Sequence, residues 1–167
     1  ERALKRAWNN TIARYNIYFN ATQRLEKAKK SIAQNHQEDF SKPLHVFQYG
    51  SKESAKSAKN YIEELHKKTS KVIQNRPTSK WVDDSYFLIG KGHFFKYDFF
   101  SAIETFQFVH TKYQNEKLKD KTQLWIVKSY LQMGQAGNAE SILALMLEDK
   151  HLLERLDRQT SKEFFAT

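Results

Sequence analysis

The sequence predicts an all-α protein in which helical hairpins stack as an α-solenoid. Apolar residues recur at spacings of three and four along the chain, and no segment shows the sustained alternation of a β-strand. Only 5 glycines and 2 prolines occur among 167 residues, which is too few for a turn-rich β-sandwich. The hydrophobic fraction of 40% excludes a disordered chain, and no apolar run approaches the ~18 residues of a membrane span.

The first predicted element is an N-terminal helical hairpin over residues 1–35. Asn20 is expected to interrupt the helix and to separate the two arms of the hairpin. Residues with the spacing of one apolar helix face run through both arms: Leu4, Trp8, Ile12, Tyr15, Phe19, Leu25, Ala28 and Ile32.

Residues 36–50 break this pattern and are predicted to form an extended connector. Pro43 disfavours the α conformation at Lys42, and Gly50 ends the segment. Three apolar residues are expected to hold the connector against the helices: Phe40, Leu44 and Phe47.

Residues 51–80 are predicted to form one helix and the loop that follows it. Ser51 is a suitable N-cap, because its hydroxyl can accept a hydrogen bond from a free backbone amide of the first turn. The buried face of this helix is expected to comprise Ala55, Ala58, Ile62, Leu65, Val72 and Ile73.

Residues 81–150 contain two helix pairs whose spacing matches the tetratricopeptide repeat. That repeat places small residues where its two helices cross and large residues between neighbouring pairs. Gly90 and Ala102 are twelve residues apart, and so are Val127 and Ala139. We therefore predict two repeats of this type over this region.

The remaining segments are turns and links. Tyr97 and Asp98 are expected to form a tight turn, with Asp98 as the cap of the next helix. A polar link is predicted at 114–121, and residues 151–167 are expected to begin a further helix.

Positive charge is concentrated in the first half of the chain. Residues 1–80 carry 17 Lys and Arg against 7 Asp and Glu, whereas residues 81–167 carry 11 against 12. The formal net charge of +9 is therefore a property of the N-terminal half. A lysine-rich surface is usual for a solvated helix, and it also suits an acidic partner surface or, less well, nucleic acid.

The sequence shows no motif of catalysis, of cofactor binding or of metal binding. It has no cysteine, and its six histidines include no His-Glu-x-x-His pair of the kind that holds zinc. Gly90-x-Gly92 lacks the third glycine and the preceding strand of a dinucleotide fingerprint. His93 stands where the repeat usually has tyrosine, so we expect it to pack. We predict that the protein is not an enzyme and has no catalytic residues, cofactor or metal ligands.

Three longer runs resemble one family of bacterial proteins. They are NTIARYNIYFNA at residues 10–21, DFSKPLHVFQYG at residues 39–50 and KWVDDSYFLIGKGHFF at residues 80–95. In this order they resemble the N-terminal blocks of the SprE/PorW-type tetratricopeptide lipoproteins, which belong to the type IX secretion and gliding-motility machinery of the Bacteroidetes. Family members are much longer, so the resemblance implies that the chain is an N-terminal fragment.

The resemblance implies a scaffold for protein–protein interactions in protein transport. Its expected location is the periplasm, tethered to the outer membrane through a lipidated cysteine upstream of Glu1. Its expected partners are proteins of the outer-membrane secretion translocon and the associated periplasmic machinery.

Two surfaces are candidates for partner binding. The register of the repeats predicts that the first helices line a concave groove. Its residues would be Asp84, Phe87, Lys91, Phe95, Lys121, Leu124, Lys128 and Gln132. The second surface lies in the first two family-like blocks and comprises Arg14, Tyr18, Asn20 and Tyr49.

Two other interpretations remain open. Phe87 and Phe95 could belong to the core and not to a groove. The basic first half could also form a helical-repeat module that binds nucleic acid, with an affinity that falls steeply with salt.

Overall fold

The computed structural model of the chain describes residues 2–37, 49–156 and 158–165. All regular structure in these residues is helical, which confirms the prediction of an all-α protein. A π-helical segment (Ala13–Tyr18) joins the first two α-helices, and a 3₁₀ turn (Lys56–Ala58) joins the third to the fourth. The α-helices are α1 (Arg2–Ile12), α2 (Phe19–Gln34), α3 (Lys52–Ala55), α4 (Lys59–Asn75), α5 (Val82–Phe95), α6 (Phe99–Lys112), α7 (Glu116–Gln132), α8 (Ala136–Leu147), α9 (Leu152–Arg155) and α10 (Arg158–Phe165).

The helices divide into two compact units, Glu1–Tyr97 and Asp98–Thr167. The first unit contains α1 to α5, and the second contains α6 to α10. The predicted repeat region 81–150 therefore contributes α5 to the first unit and α6 to α8 to the second. None of the helices in the described ranges has both the length and the apolar character needed to cross a membrane.

The predicted hairpin at the N-terminus is wrong, because the backbone does not turn back at Asn20. Ile12, Tyr18 and Phe19 all have right-handed helical dihedral angles, and Asn20 lies in the first turn of α2. Helix α1, the π-helical segment and α2 therefore form one continuous helical run. The π-helical segment takes up one surplus residue without breaking the backbone hydrogen bonding.

The core of the first unit lies where α2 packs against α4 and α4 packs against α5. Alanines on the facing sides of α2 and of the α3–α4 region let these helices approach closely, and branched residues fill the space between. On α2 the buried residues are Ala21, Leu25, Ala28 and Ile32. In α3, the 3₁₀ turn and α4 they are Ala55, Ala58, Ile62, Leu65 and Val72, which match the face predicted for residues 51–80 apart from half-buried Ile73.

Helix α4 also comes close to α5 at Gly92. A Cβ atom at this glycine would lie 2.5 Å from Nε2 of His66, so a larger residue would displace the imidazole. The ring centroids of His66 and His93 are 4.8 Å apart, which places half-buried His93 against α4.

The segment before α3 is described only at its two ends. The predicted anchors Phe40, Leu44 and Phe47 lie outside the described residues. At the C-terminal end, Ser51 caps α3 as predicted, in a reciprocal capping box with Ser54. Tyr97 donates a hydrogen bond from its hydroxyl to the carbonyl oxygen of Gly50, which fixes the entry to α3.

The second unit is built on α7, which packs against α6 on one side and α8 on the other. Three-residue links join these helices, as expected for helical hairpins. Asp98 caps α6 as predicted, by accepting a hydrogen bond from the Ser101 amide at 3.3 Å. The predicted polar link at 114–121 is wrong from Glu116 onward, because Asn115 caps α7 and the helix buries Leu118 in its first turns.

The C-terminal part of the chain forms two short helices, α9 and α10, where one was predicted. Arg155 of α9 makes a bidentate pair with Asp120 of α7, at 2.8 and 3.0 Å. Leu152 and Leu156 pack with Leu124 and Met146 in one apolar cluster. The ion pair and this cluster together hold α9 against α7.

Candidate functional site

An aromatic ring held between two cations marks the strongest candidate surface in the first unit. We call Arg14, Tyr18, Lys80 and Trp81 the N-terminal cluster. The Tyr18 and Trp81 rings are 4.9 Å apart at an interplanar angle of 34°. The guanidinium carbon of Arg14 and Nζ of Lys80 lie 5.6 and 5.5 Å from the Trp81 ring centroid. These distances are typical of cation–π contacts.

Asparagine side chains of α1 hold the loop that carries Lys80 and Trp81. Oδ1 of Asn9 accepts a hydrogen bond from Nη1 of Arg76 at 2.8 Å. Oδ1 of Asn10 accepts one from the backbone amide of Lys80 at 3.0 Å. The cluster is therefore positioned by side chains that lie about 70 residues away in the sequence.

The indole of Trp81 combines an exposed edge with a buried polar atom. Its side chain is half-buried, and Nε1 has no hydrogen-bond partner among the described residues. A partly covered tryptophan between cations is the kind of residue that dominates protein interfaces.

Burial raises the pKa of Tyr18 to about 12, and the nearby Asp84 carboxylate adds to the shift. The phenol therefore stays protonated in the folded protein when free tyrosine, with a pKa of 10.0, has begun to ionise.

The raised pKa predicts that stability falls between pH 10 and pH 12. In this interval the unfolded chain has released the Tyr18 proton and the folded chain still holds it, so rising pH favours unfolding. We expect a loss of up to about 2 kcal/mol in the free energy of unfolding across the interval. Urea titrations over this pH range should show the loss in the parent chain, and Tyr18→Phe should lack this component. An unchanged pH dependence in Tyr18→Phe would contradict the assignment.

The four groove residues predicted on α5 divide into buried aromatics and half-buried charges. Phe87 and Phe95 are buried, which favours the alternative that they belong to the core. Asp84 and Lys91 are half-buried, and Nζ of Lys91 lies 5.6 Å from the Phe87 ring centroid.

The four groove residues predicted on α7 divide in the same way. Leu124 is fully buried, and Lys128 is only 2% exposed, with Nζ 4.7 Å from the Trp125 ring centroid. Lys121 and Gln132 are half-buried. The charged head of Lys128 is therefore packed against the indole inside the unit and does not line an open surface.

The predicted residues of the N-terminal block occupy three places. Arg14 and Tyr18 meet at Trp81, and Asn20 is exposed on α2. Tyr49 is half-buried and packs edge-on against Phe94, with ring centroids 5.0 Å apart. Tyr49 thus contributes to packing beside α5.

Sequence reasoning missed the exposed apolar residues of α1. Leu4 is 78% exposed and Trp8 is 65% exposed, although both carry the spacing of a buried face. Their setting gave a signal: residues 2–25 contain five cations and no Asp or Glu, which is typical of a helix that faces a binding surface.

The described residues contain no group of three or more His, Asp or Glu side chains placed to hold a metal ion. No model of a known protein family matches the chain. No curated protein is significantly similar to it in sequence.

Proposed function

We propose that the protein is a non-catalytic scaffold for protein–protein interactions, built as a tetratricopeptide-type α-solenoid. The observation that carries this proposal is the burial of small residues at the repeat positions. Gly90, Ala102, Val127 and Ala139 are all buried, and they stand at the twelve-residue spacings that such helix pairs require. Helix α6 packs against α7 and α7 packs against α8, and stacked helices of this kind supply extended surfaces for partners.

The resemblance to SprE/PorW-type lipoproteins gives this scaffold a setting. The proposed place is the periplasm, at the outer membrane, where the protein would connect components of the type IX secretion system. Two of the three family-like runs, residues 10–21 and 80–95, supply the N-terminal cluster. We therefore propose this cluster as the surface that docks a secretion partner.

The composition of the N-terminal cluster supports docking. Tryptophan, tyrosine and arginine are the residues that most often dominate binding energy at protein interfaces. The flanking cations suit a partner whose exposed groups are acidic, and the exposed Thr11 lies one turn before Arg14.

Site-specific crosslinking in the full-length protein tests the proposal. A photoreactive residue in place of exposed Thr11 should capture an outer-membrane secretion protein, and Lys80→Glu should weaken the capture about tenfold or more by reversing a charge beside Trp81. The same probe at exposed Lys59, on α4, serves as the matched control. A purely cytosolic location, or equal capture at both positions, would overturn the proposal.

A further inference from the structure

The first turns of α1 stand clear of the rest of the first unit. Ala3, Leu4, Lys5 and Arg6 are all exposed, as is Trp8. Leu4 and Trp8 are one turn apart, so their side chains lie on the same face of the helix. A leucine and a tryptophan side by side in solvent form an apolar surface that nothing in the described residues covers.

A cationic cleft opens beside this apolar face. It has a volume of about 610 Å³ and is lined by Lys5, Arg6, Asn9 and Thr78. A second cleft of about 500 Å³ on the other side of Arg6 is lined by Ala3, Ala7 and Asn10. At 3.6 residues per turn, Trp8, Lys5 and Asn9 follow one another around the helix at roughly 50° steps. The apolar face and the cationic cleft are therefore adjacent on one helix.

Arg76 holds one wall of the larger cleft in place. Asn9 lies in that wall, and its Oδ1 accepts a hydrogen bond from Nη1 of Arg76 at 2.8 Å. The cations that line the cleft itself are Lys5 and Arg6. An ammonium and a guanidinium side by side are suited to an oxyanion such as phosphate.

The two sequence segments that line the cleft are rich in cations. Residues 2–25 and 65–82, which include its walls, carry ten Lys and Arg and no Asp or Glu. This equals the whole positive excess of the first 80 residues. Glu1 and Glu26 lie just outside the first segment, and Glu64 and Asp83 lie just outside the second. Arg24 pairs with Glu64 at 2.7 Å. The described residues that line the cleft include Lys5 and Arg6 and no carboxylate, so an anion meets little repulsion at the cleft itself.

We propose that α1 and the 76–80 loop bind the surface of an anionic phospholipid membrane. Leu4 and Trp8 enter the boundary between headgroups and acyl chains. A headgroup phosphate is bound in the cleft by Lys5 and Arg6. This is the arrangement of an interfacial helix, with a tryptophan and a leucine on one side and cations on the other.

Two features favour a lipid surface over nucleic acid and over a protein partner. Nucleic acid would use the cations but would leave the Leu4 side chain in water. A protein partner held through a helix commonly contacts a third exposed apolar anchor one turn further on, but Ile12, which occupies that position here, is half-buried. The lipid surface accounts for both the apolar pair and the cationic cleft beside it.

Vesicle flotation tests this proposal with the chain itself. The parent chain should float with vesicles of phosphatidylcholine and phosphatidylglycerol, but not with phosphatidylcholine alone, and binding should weaken with salt. Trp8→Ala should reduce the partition coefficient at least fivefold, and Lys5→Gln combined with Arg6→Gln should reduce it about 25-fold, at about fivefold per cation. The α1 side chains are exposed, so circular dichroism should show the same fold in every variant.

Matched controls make the result specific to α1. Leu145→Ala removes a leucine of α8 whose exposure, 62%, is close to the 65% of Trp8, and Lys56→Gln with Lys59→Gln removes two exposed lysines at the start of α4 and just before it. Neither change should alter vesicle binding more than twofold. Equal losses in the controls, or no flotation at low salt, would overturn the proposal.

Competition with other anions distinguishes a lipid ligand from a free anion or nucleic acid. Millimolar inorganic phosphate and a short DNA duplex should each leave the protein bound to the vesicles at fixed ionic strength. Release of the protein by phosphate would assign the cleft to a free anion, and release by DNA would assign it to nucleic acid. Either release would overturn the lipid assignment.

Discussion

Replacing Gly50 with alanine is expected to lower the free energy of unfolding by about 3 kcal/mol. The φ angle of Gly50 is +83°, a left-handed conformation that costs an L-residue about 1–2 kcal/mol. The new Cβ would also overlap Cγ2 of Ile32, a buried side chain of α2, and would lie 2.7 Å from Oγ of Ser54. The substitution therefore combines backbone strain with overpacking in the core of the first unit.

Gly134→Ala is the matched control for this result. Gly134 has a φ angle of +72°, but an added Cβ there would meet no atom within 4 Å. We expect a loss of only about 1 kcal/mol, the cost of the backbone conformation alone. Urea denaturation of both variants measures the difference. Equal losses at the two glycines would show that the contact with Ile32 contributes nothing.

Replacing Arg155 with alanine is expected to destabilise the second unit by about 2 kcal/mol. Asp120 is only 4% exposed, and its carboxylate makes both hydrogen bonds of the bidentate pair with Arg155. Removal of the guanidinium leaves this buried charge without its partner. The loss is at the lower end for a buried pair, because the Arg155 side chain is itself 22% exposed.

A second carboxylate provides the control for the Arg155 result. Asp149 also pairs with Arg155, but its side chain is 42% exposed, so Asp149→Ala should have little effect. The double change of Asp120→Ala and Arg155→Ala should be less destabilising than the sum of the single changes, because no charge is left buried. Chemical denaturation and amide exchange over α9 measure both effects. Additive losses would contradict a direct Asp120–Arg155 coupling.

Much of the helical order was predictable because local signals and burial agree. Ser51 and Asp98 cap helices where polar side chains precede an apolar run. The face of α4 follows the predicted spacing, since residues three and four apart share one side of a helix. In these elements the sequence pattern and the packing have a common physical cause.

The candidate site was less predictable, because the spacing of apolar residues does not reveal what covers them. Leu4 and Trp8 have the periodicity of a core face and yet lie in solvent. Conversely, Lys128 and Asp120 are charged and yet buried, because Trp125 and Arg155 compensate them. Arg155 lies 35 residues from Asp120 in the sequence, so their pairing follows only from the fold. Trp125 lies one turn from Lys128, but whether that side of α7 is buried depends on the helices that pack against it.

The π-helical segment Ala13–Tyr18 sets the phase of the helix on either side of it. One surplus residue rotates the preceding helix by about 100° relative to a continuous α-helix. The direction in which Leu4 and Trp8 point therefore depends on how many residues lie between them and the buried face of α2. Deletion of one residue from this segment would redirect both side chains while every other residue of the chain stayed the same.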